Sequence, residues 1–216
     1  MTATLYIQYL YDPLCGWCYG AARNIQTLLS LPTVVAELSP TGLFAGKSAK
    51  KMDDALAEFA WSNDKRIAEM TGQSFSEAYR RNVLGDRKAP FDSANATLAL
   101  TAVALTASHR EFDALKAIQE MRYVDGGDIT DLTALSDLLR ALSLDAAAAR
   151  IAAPDADLIA INKARTVAAM GTMINVGARG VPTLIAGNGD NRQLVSSRAV
   201  FASANALIEE VTALHR

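Results

Sequence analysis

The sequence has few of the residues that build metal sites, disulfide frameworks or membrane spans. It contains two cysteines and two histidines in 216 residues, which excludes a network of structural disulfides. No run approaches the roughly 20 consecutive apolar residues of a membrane-spanning helix. The formal net charge is -2, so electrostatics give no reason to expect nucleic acid or a membrane as a partner. The remaining composition, 50% hydrophobic and 20% charged, is typical of a folded globular protein.

The sequence also lacks the common signatures of export and of cofactor binding. There is no basic start, apolar run or small-residue cleavage site before the first strand pattern, so we predict a cytoplasmic location. No phosphate-binding glycine loop, serine–histidine triad or carboxylate cluster with ligand spacing is present. We therefore predict neither a bound cofactor nor a metal ion.

The order of patterns along the chain predicts an α/β fold. An apolar and aromatic run at residues 5–11 predicts a strand, helical spacing follows from residue 15 or 16 until Pro32, and residues 33–38 predict a second strand. Near the C-terminus, residues 181–186 and 193–196 predict a hairpin around the turn cluster 187–191, followed by a helix over 197–214. The intervening helical patterns cover residues 52–70, 75–84, 93–107, 112–124, 132–142 and 155–174.

The two cysteines, Cys15 and Cys18, stand where the first strand gives way to the first helix. A thiol at a helix N-terminus meets unpaired backbone N–H groups and the positive end of the helix dipole, which stabilise the thiolate. The thiolate is the species that attacks a disulfide. We therefore predict that Cys15 is an exposed nucleophile and that Cys18, one turn further in, is a more buried resolving cysteine.

Three other interpretations of the cysteine pair remain. The pair could be half of a zinc site, but zinc needs four ligands and neither His109 nor His215 belongs to a paired ligand motif. The cysteines could be unreactive core thiols, or they could form a purely structural disulfide. The last role is weak, because closing so short a loop removes little entropy from the unfolded chain.

A second element is the run Gly180-Val181-Pro182-Thr183 at the start of the first strand after the helical stretch. A proline that opens a strand usually marks a turn or an edge. With the run from Asp12 to Gly20, Asp-Pro-Leu-Cys-Gly-Trp-Cys-Tyr-Gly, it completes a pattern that resembles the DsbA family. The similarity is to the branch without a signal sequence, whose bacterial members are often described as predicted disulfide isomerases.

The resemblance implies a thioredoxin-like fold with a large all-helical insertion. The thioredoxin-like domain would comprise residues 1–47 and 155–216, and the insertion residues 48–154. It also implies a cis Val181–Pro182 bond packed against the cysteines, with the Val181 backbone free to pair with an extended substrate. Leu14, Trp17 and Tyr19 would border a substrate groove, with ordinary packing as the alternative for each.

The resemblance implies a thiol–disulfide oxidoreductase or isomerase that acts on disulfides of proteins, peptides or small thiols, with glutathione as a further candidate partner. The Gly16-Trp17 pair and the missing export signal depart from the best-known DsbA pattern, which leaves the direction of catalysis open. A glutathione-dependent isomerase or transferase of the kappa type is the first alternative, although those relatives usually have serine in place of Cys15. A redox-inert peptide-binding protein is the second. The oligomeric state stays unassigned.

Overall fold

The computed structural model describes residues 4–187, 189 and 191–215. Within these residues a four-stranded sheet has the order β2-β1-β5-β6. Strand β1 is parallel to β2 and antiparallel to β5, and β6 closes the sheet as the antiparallel partner of β5. The strands are β1 (Leu5–Tyr11), β2 (Val34–Pro40), β5 (Thr183–Ala186) and β6 (Gln193–Leu194), while β3 (Lys50–Lys51) and β4 (Pro90–Phe91) pair separately.

Strand β1 occupies the centre of the sheet because its sequence is apolar on both faces. Six of its seven residues are buried, and Tyr9, Leu10 and Tyr11 are fully enclosed. A strand covered on both faces reads as a continuous apolar run, which is the pattern of this segment. Two parallel neighbours need a crossover connection, and helix α1 (Gly16–Leu29) supplies it between β1 and β2.

Helices make up most of the remaining chain, and several begin at an aspartate that caps them. The side chains of Asp53, Asp131 and Asp155 accept backbone N–H bonds at the starts of α2, α6 and α8. The helices after α1 are α2 (Asp54–Thr71), α3 (Glu77–Tyr79), α4 (Ala94–Ala107), α5 (Glu111–Tyr123), α6 (Leu132–Ala141), α7 (Asp145–Ala152), α8 (Ala156–Asn175), α9 (Ser197–Ala202) and α10 (Ala204–Ala213). None is long and apolar enough to cross a membrane within the described residues.

The α/β class is confirmed, and the sequence patterns differ from the structure in a few elements. The predicted helix over residues 75–84 is a short α3 followed by a π-helical turn, Arg80–Leu84. Helix α7 was not predicted. The predicted C-terminal helix breaks at Ser203, whose extended backbone and side chain start α10 by capping Ala206. Residues 188 and 190 of the predicted turn lie outside the described part, and the proposed domain boundaries stay a prediction.

Candidate active site

The turn between β1 and α1 is built by Asp12 and places Cys15 at the start of the helix. The Asp12 carbonyl accepts from the Cys15 N–H at 3.0 Å, and one Asp12 carboxylate oxygen accepts from the Leu14 N–H at 2.9 Å. The Tyr123 hydroxyl donates to the Leu14 carbonyl at 2.7 Å and fixes the turn from α5. Cys15 is the N-cap residue of α1, and no acidic residue occupies the first turn of that helix. The free N–H groups of α1 are therefore available to stabilise a thiolate.

Both cysteines are buried, as expected for Cys18 but not for Cys15. Cys15 retains 7% of its exposed surface and Cys18 retains 1%. The expected order is present, with Cys15 the outer residue, but the prediction of an exposed Cys15 is wrong because residues from distant parts of the chain cover it. Burial, and then the neighbouring Cys15, raise the pKa of the Cys18 thiol.

The structure brings the second predicted element into contact with Cys15. The Val181–Pro182 peptide bond is cis, and the Cys15 thiol donates to the Val181 carbonyl over 3.4 Å. The pairing of β5 with β1 begins at Thr183, opposite Leu10, so Val181 lies beyond the end of that ladder. Residues separated by 166 positions thus meet at one sulfur atom.

The aromatic and apolar residues around the motif have different roles. Trp17 packs edge-on against Phe201, with ring centroids 5.3 Å apart, and it borders the cavity beside Cys15. Leu14 borders the same cavity but keeps only 2% of its surface. Tyr19 does not border it: its ring stacks on Tyr123 at 4.9 Å inside an aromatic cluster. For Tyr19 the structure therefore supports the packing alternative.

A cavity of about 240 Å³ opens between the cysteine motif and the helical part of the chain. Most of its lining is apolar or aromatic, as is usual for ligand pockets. The polar and charged lining residues are Lys50, Asn63 and Asp64. None of these three residues was predicted from the sequence, because each stands in a segment that is typical of a solvated surface. The apolar and small lining residues are Leu14, Cys15, Gly16, Trp17, Phe44, Leu56, Phe59, Ala60, Ile67, Tyr79, Phe91 and Tyr123.

Two polar side chains beside the motif, Asp12 and Tyr9, are fully buried. Asp12 accepts from the N–H groups of Leu14 and Phe44 and from the Ser93 hydroxyl, yet burial raises its pKa to about 6. The Tyr9 hydroxyl has no hydrogen-bond partner among the described residues. Burial, and then the adjacent Cys18, raise the pKa of Tyr9. Cys18 is therefore enclosed by groups that are themselves shielded from water.

A larger cavity of about 500 Å³ lies beside β2, away from the cysteines. Two of its charged residues form an ion pair: Arg165 contacts Glu111 at 2.7 Å and also donates to the Leu38 carbonyl. Among the described residues, no group of three or more His, Cys, Asp or Glu side chains has the arrangement of a metal site.

No known family model and no curated protein matches the chain. Solved structures do match. A cytosolic disulfide reductase, DsbM, from Pseudomonas aeruginosa is 27% identical and superposes with a TM-score of 0.82, covering 97% of this chain and 96% of that one. The structural neighbours of this chain are DsbA-like disulfide oxidoreductases. The thioredoxin-like fold with a helical insertion is thereby confirmed.

Two further structures agree in fold. A disulfide isomerase candidate from Nitrosomonas europaea superposes with a TM-score of 0.77 at 21% identity, covering 98% of this chain and 96% of that one. A second structure of the Pseudomonas DsbM, with GSH, superposes with a TM-score of 0.77 at 27% identity over 97% and 96% of the two chains. These matches span nearly the whole chain.

Proposed function

We propose that this DsbA-like oxidoreductase uses Cys15 as its nucleophile and Cys18 as its resolving cysteine. The observation that carries the proposal is the contact of the Cys15 sulfur with the Val181 carbonyl beside Pro182, at the N-terminus of α1. Unreactive core thiols have no reason to lie at a helix start and at the edge of a cavity. A purely structural disulfide would not need a lined cavity beside its outer sulfur.

The reaction transfers two electrons from the cysteine pair to a substrate disulfide. The Cys15 thiolate attacks one substrate sulfur, an S–S bond forms between them, and the other substrate sulfur leaves as a thiolate that takes up a proton. Cys18 then loses its proton and attacks the Cys15 sulfur, which releases the second substrate thiolate. The pair ends as a disulfide, and a thiol reductant must reduce it again.

Val181, Pro182, Trp17 and Leu14 form the substrate side of the proposed site. Val181 lies beyond the β1–β5 ladder, so its backbone can pair with an extended peptide once the substrate displaces the Cys15 contact. Trp17 offers apolar surface beside Cys15, and the buried Leu14 borders the same cavity. We propose a disulfide-containing protein or peptide as substrate and the cytoplasm as the site of action, where the glutathione pool favours a reductase or isomerase.

Reduction potential and trapping together test this proposal. Equilibration in thiol buffers should show one reversible two-electron couple, and a value near or below about -250 mV would identify a reductase. Cys15→Ser should abolish exchange, whereas Cys18→Ser should accumulate a mixed disulfide with substrate. Absence of a reversible couple, or full activity of Cys15→Ser, would overturn the assignment.

Glutathione supports a second candidate function. One structure of the 27% identical Pseudomonas reductase contains GSH, and the cavity here borders Cys15. Under this alternative the chain would be a glutathione-dependent isomerase or transferase of the kappa type. Saturable glutathione binding with turnover that survives Cys18→Ser would favour it, because such chemistry needs no resolving cysteine.

A further inference from the structure

Asp64 is a buried carboxyl group that belongs to the helical insertion but borders the cavity of the cysteine motif. It lies on α2, retains 4% of its surface, and lines the cavity that Cys15 also lines. One of its oxygens, Oδ2, accepts from the Tyr79 hydroxyl at 2.9 Å. No lysine or arginine lies within ion-pair distance of it among the described residues.

The other oxygen of Asp64 lies against the first residue of α1. A Cβ atom placed on Gly16 would stand 2.6 Å from Asp64 Oδ1 and 3.2 Å from Ile67 Cδ1. Gly16 has no positive φ that would require glycine. The Asp64 carboxyl therefore occupies space that a side chain at position 16 would need. This contact places an ionisable group beside the helix start that stabilises the Cys15 thiolate.

The groups that face Asp64 leave its charge largely uncompensated. The Arg122 guanidinium is buried among aromatic rings, 5.5 Å from the ring centres of Tyr79 and Phe91, and it only partly offsets the effect of burial on Asp64. Burial raises the pKa of Asp64 to about 7. The other titratable or charged groups on elements around it are Cys15, Lys50 and Tyr123, together with the exposed Lys65 and Arg66 of α2.

We propose that Asp64 is a positioning residue that sets the redox balance of the cysteine pair through its charge. This inference rests on the proposed function of Cys15 and Cys18. An ionised Asp64 opposes the Cys15 thiolate, since like charges at one site disfavour each other. An ionised Asp64 therefore destabilises the reduced cysteine pair relative to the disulfide, which makes the protein a stronger reductant. When solvent protonates Asp64, the repulsion between its carboxylate and the Cys15 thiolate disappears. The oxidation state of the two sulfurs does not change in this step.

The test compares the wild type with Asp64→Asn across neutral pH. The equilibrium with a thiol buffer should shift toward the reduced pair by about threefold to tenfold at about pH 8.5, and by less than about twofold at about pH 5.5. The alkylation rate of Cys15 should rise in the same variant at the higher pH. Glu69→Gln, which removes a carboxylate from the exposed face of α2, is the matched control and should leave both values unchanged.

A second variant separates the effect of the Asp64 charge from the structural effect of replacing the residue. Tyr79→Phe removes the hydrogen bond that favours the ionised carboxyl, so the pH at which Asp64 begins to act should move upward. A shift in Asp64→Asn that is the same at both pH values, or no shift, would overturn the inference. A wild type without a reversible couple would instead overturn the proposed function, so the two failures are distinguishable.

Discussion

On the sheet side of the cysteine motif, Cys18 lies among fully buried groups, with Tyr9 and Asp12 at 0% exposure. On the insertion side, Cys15 borders a cavity of about 240 Å³ whose polar residues come mainly from α2. With the roles proposed above, the sheet side would keep the Cys18 sulfur from water and from substrate. The insertion side would admit a substrate and place the titratable Asp64 near Cys15. On this proposal the sheet side supplies rigidity and the insertion supplies control.

The largest effect should be a loss of stability after a substitution on the sheet side of the motif. Arg165 neutralises Glu111, and Glu111 accepts from the Tyr11 hydroxyl at 2.9 Å, directly before Asp12. Arg165→Met leaves a buried carboxylate without its partner, so the free energy of unfolding should fall by about 4 kcal/mol. Urea denaturation measures this change in the free energy of unfolding. Arg140→Met, which breaks an exposed pair with Asp137, should cost less than about 1 kcal/mol, and equal losses would contradict the comparison.

The next largest effect concerns pH and the insertion side. The pKa of Asp64 is about 7 in the folded protein and is raised from 3.8, so the folded state prefers the protonated form. Its contribution to stability is complete below about pH 4 and is lost as the pH rises through about 7. From about pH 4 to pH 8, the wild type should lose about 3 kcal/mol more stability than Asp64→Asn. If the free energies of unfolding of the wild type and of Asp64→Asn change with pH in parallel, Asp64 does not titrate in this way.

The energy of the contact between α1, at Gly16, and α2, at Asp64, can be measured directly. Gly16→Ala should destabilise the wild type by about 2 kcal/mol, because the new methyl group would meet Asp64 and Ile67. In an Asp64→Ala background the same change should cost about 1 kcal/mol less, since one obstacle is gone. A double-mutant cycle of unfolding free energies gives the coupling. Strict additivity would mean that Asp64 does not determine the glycine.

Local signals in the sequence predicted the sheet side of the cysteine motif better than the insertion side. The apolar run of β1, the helix start at Cys15 and the proline at position 182 each carry their own chemistry, and the structure brings the last two together. Nothing local marks Asp64, because one aspartate on a helix rich in charged residues reads as a solvated surface. Its role depends on the approach of α2 to α1, which only tertiary packing defines.

Other differences have equally physical causes. Helix α7 was missed although its buried residues, Ala147, Ala148 and Ile151, lie at helical spacing. Two of the three are alanines, which give only a weak apolar signal in the sequence. The break at Ser203 is invisible to periodicity, since apolar residues continue on both sides of it. Cys15 was expected to be exposed because a turn usually is, but it packs against the Val181 carbonyl, which lies 166 positions away in the sequence.

The smallest effect distinguishes two tyrosines of β1 on the sheet side. The Tyr11 hydroxyl donates to Glu111, whereas the Tyr9 hydroxyl is buried without a partner among the described residues. Tyr11→Phe should therefore destabilise the protein by about 1 to 2 kcal/mol, while Tyr9→Phe should be neutral or stabilising by up to about 1 kcal/mol. Thermal or urea unfolding of both variants checks the difference. Destabilisation by Tyr9→Phe equal to that of Tyr11→Phe would mean that its hydroxyl is hydrogen-bonded in solution, with the neighbouring Cys18 sulfur as the acceptor, and the sheet side would then take part in the chemistry it encloses.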